Sequence, residues 1–180
     1  MRIISGIYKS RKIKTPPNGS EIRPSKDSTR ETVFNILSNY ISFEKFICID
    51  LFAGTGSYGI ECLSRGARMC YFVDKSINIL KENISLLNIN DIAVIKRMDA
   101  VKFLQVFENN KNKYLVFADP PYEFNKYENL IRNVSNLNSI FVLEHSNKFD
   151  NENLDIKPFI FKKIGFTRIS IYNFLKKINQ

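Results

Sequence analysis

The residues best suited to chemistry in this sequence are concentrated in one short turn. The apolar run 114–118 predicts a buried strand, and it is followed at once by Asp119, Pro120, Pro121 and Tyr122. Prolines cannot donate to a β-ladder and their φ is fixed, so the strand must end there in a stiff turn. Turns just past strands are where α/β proteins place their chemistry. The alternative is a structural turn in which Asp119 caps the next helix.

A second turn has the glycine spacing of a nucleotide-binding loop. Gly54, Gly56 and Gly59 form a G-x-G-x-x-G pattern between a predicted strand and a predicted helix. The glycines allow a tight turn and a close approach of the backbone to a ligand. Asp74 ends the next predicted strand, where a carboxylate can accept hydrogen bonds from ribose hydroxyls. The pattern therefore predicts a nucleoside-containing cofactor, with a purely structural glycine turn as the alternative.

Four carboxylates end four successive predicted strands: Asp50, Asp74, Asp99 and Asp119. If the strands are parallel, all four lie at one edge of the sheet. Asp50 is only four residues before Gly54 and would oppose a diphosphate at that turn. It suits a ligand with an ammonium and a sulfonium, so S-adenosylmethionine is favoured, and NAD remains the second candidate. Asp99 could then accept from the adenine amino group.

These residues need a scaffold of alternating strands and helices to bring them together. Predicted strands cover 46–52, 69–74, 92–99, 114–119 and 139–145, and predicted helices cover 58–65, 77–88, 100–108 and 127–137. The alternation predicts an α/β fold with a mostly parallel sheet and helices on both faces. Two final strands are expected around Gly165. Before this region, the sequence predicts a hairpin around 8–10 and a helix over 28–41 that begins with a Ser28–Glu31 capping box.

The composition is that of a soluble globular protein of one domain. The chain has 180 residues, of which 44% are hydrophobic and 25% are charged. No apolar stretch is long enough for a transmembrane helix, and the first residues lack the apolar segment of a secretory signal. Cys48, Cys62 and Cys70 form no CxxC pair, so we expect reduced core thiols in a cytoplasmic protein. Since only His145 could join them, we expect no metal site.

The positive charge is unevenly distributed. The net charge is +9, and residues 1–30 contain eight Lys and Arg against two acidic residues, which accounts for six of those nine charges. A clustered basic segment is expected of a nucleic-acid-binding protein. A solvated charged surface is the alternative, and the heavy use of Lys, Asn and Ile suggests a biased genome that would raise the charge without function.

Together these motifs resemble the class I S-adenosylmethionine-dependent methyltransferases, and more closely the bacterial 16S rRNA (guanine(966)-N(2))-methyltransferase family of the RsmD type. The resemblance extends over the whole chain, from "RIISG" at 2–6 through "RPSKDSTRETVFNIL" at 23–37 and "DLFAGTGSYGIECLSRGA" at 50–67 to "ADPPYE" and "KKIGFTRISIY". Two positions depart from the family pattern. Ser10 stands where glycine is usual, and Asp74 stands where glutamate is more common, which shortens the reach to a ribose.

The resemblance implies a Rossmann-like, seven-stranded methyltransferase domain at 23–180, preceded by a basic hairpin extension at 1–22, in a single domain overall. It implies S-adenosyl-L-methionine as cofactor, S-adenosyl-L-homocysteine as product, and 16S rRNA or the assembling small ribosomal subunit as partner. The implied cofactor contacts are Asp50, Phe52, Gly54, Gly56, Asp74, Asp99 and Ala100. The implied target-base site is Asp119, Pro120, Pro121 and Tyr122, and the expected RNA contacts are Tyr8, Lys9, Arg11, Lys12, Arg23 and Arg30.

Two other functions remain open from the residues alone. A DNA adenine-N6 or cytosine-N4 amino-methyltransferase would use the same Asp-Pro-Pro-Tyr turn, although 180 residues show no target-recognition domain. A non-catalytic RNA-binding assembly factor could keep the fold without the reaction. No residue in the sequence distinguishes guanine from adenine, and we expect a monomer without a membrane partner.

Overall fold

A computed structural model describes residues 1–16, 24–147, 149 and 154–176. In these residues the predicted alternation of strands and helices is confirmed. The strands are β1 Ile47–Leu51, β2 Cys70–Asp74, β3 Ala93–Arg97, β4 Tyr114–Ala118, β5 Ser139–His145, β6 Ile160–Ile164 and β7 Thr167–Asn173. The α-helices are α1 Pro24–Ser38, α2 Ser57–Ser64, α3 Asn78–Leu87, α4 Ala100–Val106 and α5 Tyr127–Ser135, and short 3-10 turns lie at Phe43–Lys45 and Asn90–Ile92.

The described strands form one seven-stranded sheet in the order β3-β2-β1-β4-β5-β7-β6. The five strands β1 to β5 are parallel, and β7 is antiparallel to both of its neighbours. The chain leaves β1 toward β2 on one side and later returns to place β4 on the other. This reversal of strand order opens a crevice at the carboxyl ends of β1 and β4, where sheets of this type bind ligands.

Helices cover both faces of the sheet, as predicted. Alternate residues of a strand point to opposite faces, so Cys48 packs with α1, α2 and α3 while Ile47 and Ile49 pack with α4 and α5. All five residues of β1 and all five of β4 are buried. Strands buried on both sides explain why their sequences are continuous apolar runs. No helix in the described ranges is long and apolar enough to cross a membrane.

The N-terminal part differs from the sequence prediction in two respects. Helix α1 begins at Pro24, so Ser28 lies inside the helix and the predicted Ser28–Glu31 capping box is wrong. Proline suits the first turn of a helix because the missing N–H has no partner there anyway. Residues 1–13 reverse direction as expected around 8–10, but Arg2 and Lys12 form an isolated antiparallel bridge instead of a ladder of two strands.

Candidate active site

The parallel register places the ends of five strands side by side, with Arg97 of β3 beside Asp74 of β2. Leu51 of β1 lies beside Val73 of β2 and Ala118 of β4, and Ala118 in turn lies beside Leu143 of β5. The residues that follow these positions therefore meet at the carboxyl edge of the sheet. This brings together the glycine-rich turn, the acids at 74 and 99, and the Asp-Pro-Pro-Tyr turn.

The glycine-rich turn has an unusual backbone that opens it toward the sheet edge. Phe52, Gly54 and Gly56 all have left-handed φ, of 59°, 54° and 83°. For a phenylalanine this conformation is rare and strained, and such strain concentrates at functional sites. Gly54 is exposed, and its N–H donates to Oδ2 of Asp74 at 2.8 Å while the Ser76 N–H donates to Oδ1 at 2.8 Å. Asp74 is thus held in place at the edge of the turn by two backbone amides.

Asp50 lies behind the turn and not at its surface. It is 2% exposed, and its Oδ2 accepts a 2.8 Å hydrogen bond from the Gly59 N–H at the start of α2. The pKa of Asp50 is raised from 3.8 to about 8, mainly by burial, with the Gly59 hydrogen bond lowering it and the neighbouring Asp119 and Asp74 carboxylates adding to the rise. Gly59 can approach this closely only because it lacks a side chain, since a Cβ there would lie 2.3 Å from the Phe72 ring.

A cavity of about 410 Å³ lies at the carboxyl ends of β1, β2 and β4. Four of the predicted cofactor residues line it, namely Phe52, Asp74, Asp99 and Ala100, and so do Asp119 and Pro121. Val73, Lys75, Met98 and Phe124 complete the lining. The Phe52 and Phe124 rings meet edge to face, with centroids 5.2 Å apart. The predicted residues Asp50, Gly54 and Gly56 are not among the lining residues, and their contact with a cofactor stays a prediction.

This cavity has a size and a set of hydrogen-bond acceptors that suit an adenosine-containing cofactor. Ligand pockets generally have volumes of about 300–1,000 Å³ and combine apolar walls with a few convergent polar groups. Here apolar side chains at 73 and 98 can enclose a flat base, and the Asp74 carboxylate can accept from ribose hydroxyls. The acidic edge suits a cationic sulfonium better than a diphosphate, as the sequence predicts.

Asp99 lies at the far end of the same cavity and already has several partners. It is the N-cap of α4, where Oδ1 accepts from the amides of Val101 and Lys102, at 3.0 and 3.2 Å. Its Oδ2 lies 3.0 Å from the Lys75 Nζ. The Lys75 ammonium lowers the pKa of Asp99, so this carboxylate stays ionised. The sequence prediction missed Lys75, although it directly follows Asp74 at the strand end.

A second cavity, of about 260 Å³, lies on the other side of the Asp-Pro-Pro-Tyr turn. All four residues of that turn line it, together with Glu123, Tyr127, Glu144, His145, Ser146, Phe166 and Thr167. Asp119 and Pro121 therefore line both cavities. Tyr122 is 64% exposed and Phe166 is 93% exposed at this cavity. Two aromatic rings that face solvent beside a carboxylate are suited to receive a flat polar group.

Two residues of β5 at this second cavity were not predicted as functional. Glu144 accepts a 3.0 Å hydrogen bond from the Tyr58 hydroxyl at its Oε2. His145 is buried, and its Nε2 lies 2.9 Å from the Ser170 Oγ. Its Nδ1 lies 3.0 Å from the Ser146 carbonyl, which requires the proton on Nδ1. Burial lowers the pKa of His145, so the ring is neutral in the ordinary pH range.

The residues predicted to contact RNA differ from one another in exposure to solvent. Lys9, Arg11 and Lys12 are exposed, and Tyr8 is half-buried. Arg23 lies outside the described residues. Arg30 is 2% exposed, and its Nη2 donates to the Arg2 carbonyl at 2.6 Å, so it anchors the N-terminal segment to α1. We therefore do not include Arg30 in the proposed RNA surface.

The N-terminal segment is fixed to the far ends of α2 and α3. Glu61 accepts from the amides of Ile4 and Ser5, at 2.7 and 3.1 Å, and the Ile7 amide donates to the Ser64 carbonyl at 2.8 Å. Arg11 donates to the Leu86 carbonyl at 2.7 Å. Helices that follow parallel strands run back from the carboxyl edge, so the C-terminal ends of α2 and α3 lie away from the two cavities. The basic residues of this segment are therefore offset from the site by about the length of a short helix.

The three cysteines lie inside the protein. Cys48, Cys62 and Cys70 are buried and free, and burial raises the pKa of each thiol. Within the part of the chain that the structure describes, no group of three or more His, Cys, Asp or Glu is arranged to hold a metal ion.

The strand order, the glycine-rich turn and the two cavities that meet at Asp119 define a class I S-adenosylmethionine-dependent methyltransferase. A profile of the family described as conserved hypothetical protein 95 matches residues 1–173. The chain belongs to this family, the RsmD family, whose members include ribosomal RNA small subunit methyltransferase D.

Two relatives and one solved structure document the similarity. The chain is 38% identical to ribosomal RNA small subunit methyltransferase D of Haemophilus influenzae, over 73% of this chain and 68% of that protein. It is 38% identical to YlbH of Bacillus subtilis, over 73% of this chain and 72% of that protein. The structure of yhhF from Escherichia coli superposes with a TM-score of 0.78 at 26% identity, and it covers 96% of each chain.

Proposed function

We propose that this protein transfers a methyl group from S-adenosylmethionine to the exocyclic N2 amine of a guanine in 16S rRNA of the small ribosomal subunit. The observation that carries this proposal is the shared wall between the two cavities. Asp119 and Pro121 line the cavity suited to adenosine as well as the cavity flanked by exposed aromatic rings. A methyl donor in the first and a base in the second would meet at the Asp-Pro-Pro-Tyr turn.

The Asp-Pro-Pro-Tyr turn can orient a base amine, which is a poor nucleophile, for attack on the methyl group. The lone pair of such an amine is delocalised into the ring, so the nitrogen must be oriented before it can attack. In this proposal the Asp119 carboxylate accepts one amine N–H and the Pro120 carbonyl accepts the other. The fixed φ of the two prolines holds both acceptors in position, which lowers the entropic cost of alignment. Tyr122 offers its exposed face for stacking on the base.

The bound cofactor would supply an electrophilic methyl carbon on a sulfonium. The amine nitrogen forms the new bond to that carbon as the carbon–sulfur bond breaks, and one amine proton is then lost to solvent. Asp119 lies where it could accept this proton, but its main role in the proposal is to position the amine. The base must be single-stranded or flipped out of its helix, because a stacked base cannot enter a cavity of this kind.

The substrate assignment rests on the family. The Haemophilus influenzae relative is a ribosomal RNA small subunit methyltransferase, and the exposed basic residues Lys9, Arg11 and Lys12 supply charge that RNA phosphates require. An rRNA substrate would place the reaction in the cytoplasm, and the proposed oligomeric state is a monomer. The proposed organisation is one methyltransferase domain, 23–180, with a basic extension at 1–22.

Methyl transfer from labelled S-adenosylmethionine tests this proposal directly. The acceptor is small ribosomal subunits from cells that lack this gene, and the product is identified by nucleoside analysis. N2-methylguanosine is the expected product. Label in a different nucleoside would overturn the guanine assignment, and binding of RNA without binding of the cofactor would favour a non-catalytic assembly factor.

A further inference from the structure

The second cavity contains a carboxylate that the reaction as described does not use. Glu144 lies in β5 one residue after Leu143, and Asp119 lies one residue after Ala118, the partner of Leu143 in the parallel register. Neighbouring strands are about 4.8 Å apart, so the two acids project from adjacent positions. Both line the 260 Å³ cavity. A base whose amine is held by Asp119 would therefore lie within reach of Glu144.

Glu144 is oriented by a residue from a different element. The Tyr58 hydroxyl donates to the Glu144 Oε2 at 3.0 Å, and Tyr58 is itself stacked on Phe117, with ring centroids 5.0 Å apart. Burial and the nearby Glu144 carboxylate raise the pKa of Tyr58 well above its ordinary value, so the phenol keeps its proton and remains a donor. A carboxylate has about four lone-pair positions, so Glu144 can accept from a ligand in addition to its protein partners.

The three base amines differ in the atom that lies next to them. The N6 amine of adenine is adjacent to N1, and the N4 amine of cytosine is adjacent to N3, and both of these ring nitrogens are acceptors. The N2 amine of guanine lies between N3, which is an acceptor, and N1–H, which is a donor on the Watson–Crick edge. Flipped bases are recognised through hydrogen bonds to this Watson–Crick edge. A carboxylate that faces the Watson–Crick side of the amine would accept from N1–H in guanine but would face a lone pair in adenine or cytosine.

We propose that Glu144 accepts the N1–H of the target guanine and thereby selects guanine over adenine and cytosine. Asp119 and Glu144 together would bind the two adjacent donors of guanine, N2–H and N1–H, as a pair of carboxylates. Adenine or cytosine in the same position would leave Glu144 opposite a ring nitrogen with no proton, which is a desolvated and repulsive contact. This inference rests on the proposed function and adds to it the residue that reads the base.

The test compares guanosine with 2-aminopurine riboside, which keeps the N2 amine but has no N1–H. Small ribosomal subunits are reconstituted from ligated 16S rRNA that carries one or the other nucleoside at the target position, and kcat/KM for methyl transfer is measured for each. A hydrogen bond to a charged group is worth enough to give the wild-type protein a preference for guanosine of about 10- to 150-fold.

The variant Glu144→Gln should reduce this preference to near one, because glutamine keeps the size of the side chain while its amide N–H can serve the unprotonated N1. Transfer to guanosine should fall and transfer to 2-aminopurine should not. Glu128→Gln is the matched control, since Glu128 is exposed on α5 in an ion pair with Arg132 and lines neither cavity. It should keep the wild-type preference. A second variant, Tyr58→Phe, removes only the donor that orients Glu144 and should lower the preference partway.

Three results would overturn the inference while the proposed function stands. They are equal transfer to both nucleosides by the wild-type protein, an equal loss on both nucleosides in Glu144→Gln, and, if that variant does not fold, an unchanged preference in Tyr58→Phe. The failure of the proposed function has a different signature, because then the wild-type protein would methylate neither guanosine nor 2-aminopurine at the target position.

Discussion

The burial of the Asp50 carboxyl group allows a quantitative prediction of how the free energy of unfolding depends on pH. Its pKa is about 8 in the folded protein because it is buried, whereas 3.8 is its ordinary value in an unfolded chain. Between these two pH values the folded protein keeps the proton and the unfolded chain loses it. The folded state therefore binds more protons, so the free energy of unfolding decreases as the pH rises through this range. This is the reverse of the behaviour of an acid in a salt bridge.

The perturbation is Asp50→Asn, which replaces the protonated acid with a neutral group of the same shape. Its amide oxygen can still accept from the Gly59 N–H, the bond that Asp50 makes at 2.8 Å. One pH unit corresponds to about 1.4 kcal/mol of differential protonation. From pH 5 to pH 7 the stability of the variant relative to wild type should therefore increase by about 3 kcal/mol as an upper limit. The difference should level off above about pH 8.

Urea unfolding of both proteins at each pH unit from 5 to 9 measures this difference. Asp91→Asn is the control, because Asp91 is exposed and the same change of charge there should leave the pH profile parallel to wild type. Parallel profiles for Asp50→Asn would refute the reasoning, since they would mean that Asp50 is ionised in the folded protein at neutral pH.

The protonation of Asp50 should also be coupled to binding of the cofactor. A cationic ligand near Asp50 favours the carboxylate over the acid, so binding of S-adenosylmethionine near pH 7 should release a proton from this group. Calorimetric titrations in two buffers with different ionisation enthalpies would show the release, and Asp50→Asn should abolish it.

Three further variants test other parts of the site. Asp119→Ala should abolish methyl transfer while the dissociation constant for S-adenosylmethionine changes little, because the variant removes the acceptor for the amine and only one part of the cofactor cavity wall; radiometric transfer and calorimetry measure the two effects. Gly59→Ala should destabilise the protein by about 1–3 kcal/mol in urea unfolding, because the new Cβ would lie 2.3 Å from the Phe72 ring. Phe166→Ala should lower kcat/KM for the ribosomal substrate by about 5- to 150-fold through lost stacking, without a change in melting temperature.

Each of these variants can fail in a recognisable way. Methyl transfer by Asp119→Ala at close to the wild-type rate would show that Asp119 does not have the proposed role in the reaction. For Gly59→Ala the control is Ser85→Ala, at an exposed position of α3, and equal stability of the two variants would contradict the close packing described for α2. An unchanged kcat/KM in Phe166→Ala would show that its ring does not contact the RNA.

The sequence was sufficient for the part of the fold that depends on local patterns. Alternating apolar runs and turn residues predicted the five parallel strands and the two final ones around Gly165, and all seven are present in the described residues. The acids at 74, 99 and 119 were expected at one edge, and all three line the 410 Å³ cavity. These predictions succeed because parallel strands of similar length that pair in register end at the same edge of the sheet.

Other features depend on contacts between distant elements and could not be predicted. Asp50 follows the same pattern as Asp74, but its side chain is enclosed by α2 because Gly59 lets the helix approach β1 closely. Glu144 was passed over because its relation to Asp119 appears only in the register of β5 against β4. Arg30 was expected at the surface, yet Arg2, 28 residues earlier, draws its guanidinium inward.

The attachment of the N-terminal segment has a consequence for the smallest RNA that the protein can use efficiently. Arg11 is bonded to the end of α3, and the chain just before it is bonded to Ser64 at the end of α2. The neighbouring Lys9 and Lys12 therefore cannot move to the catalytic edge unless these hydrogen bonds break. An oligonucleotide that only fills the base cavity would leave those charges unused. If these charges bind RNA as proposed, efficient substrates extend along the outside of α2 and α3, and truncating them on that side should cost affinity at low ionic strength more than at high ionic strength. On this proposal, substrate length is set by the geometry of a segment that takes no part in the chemistry.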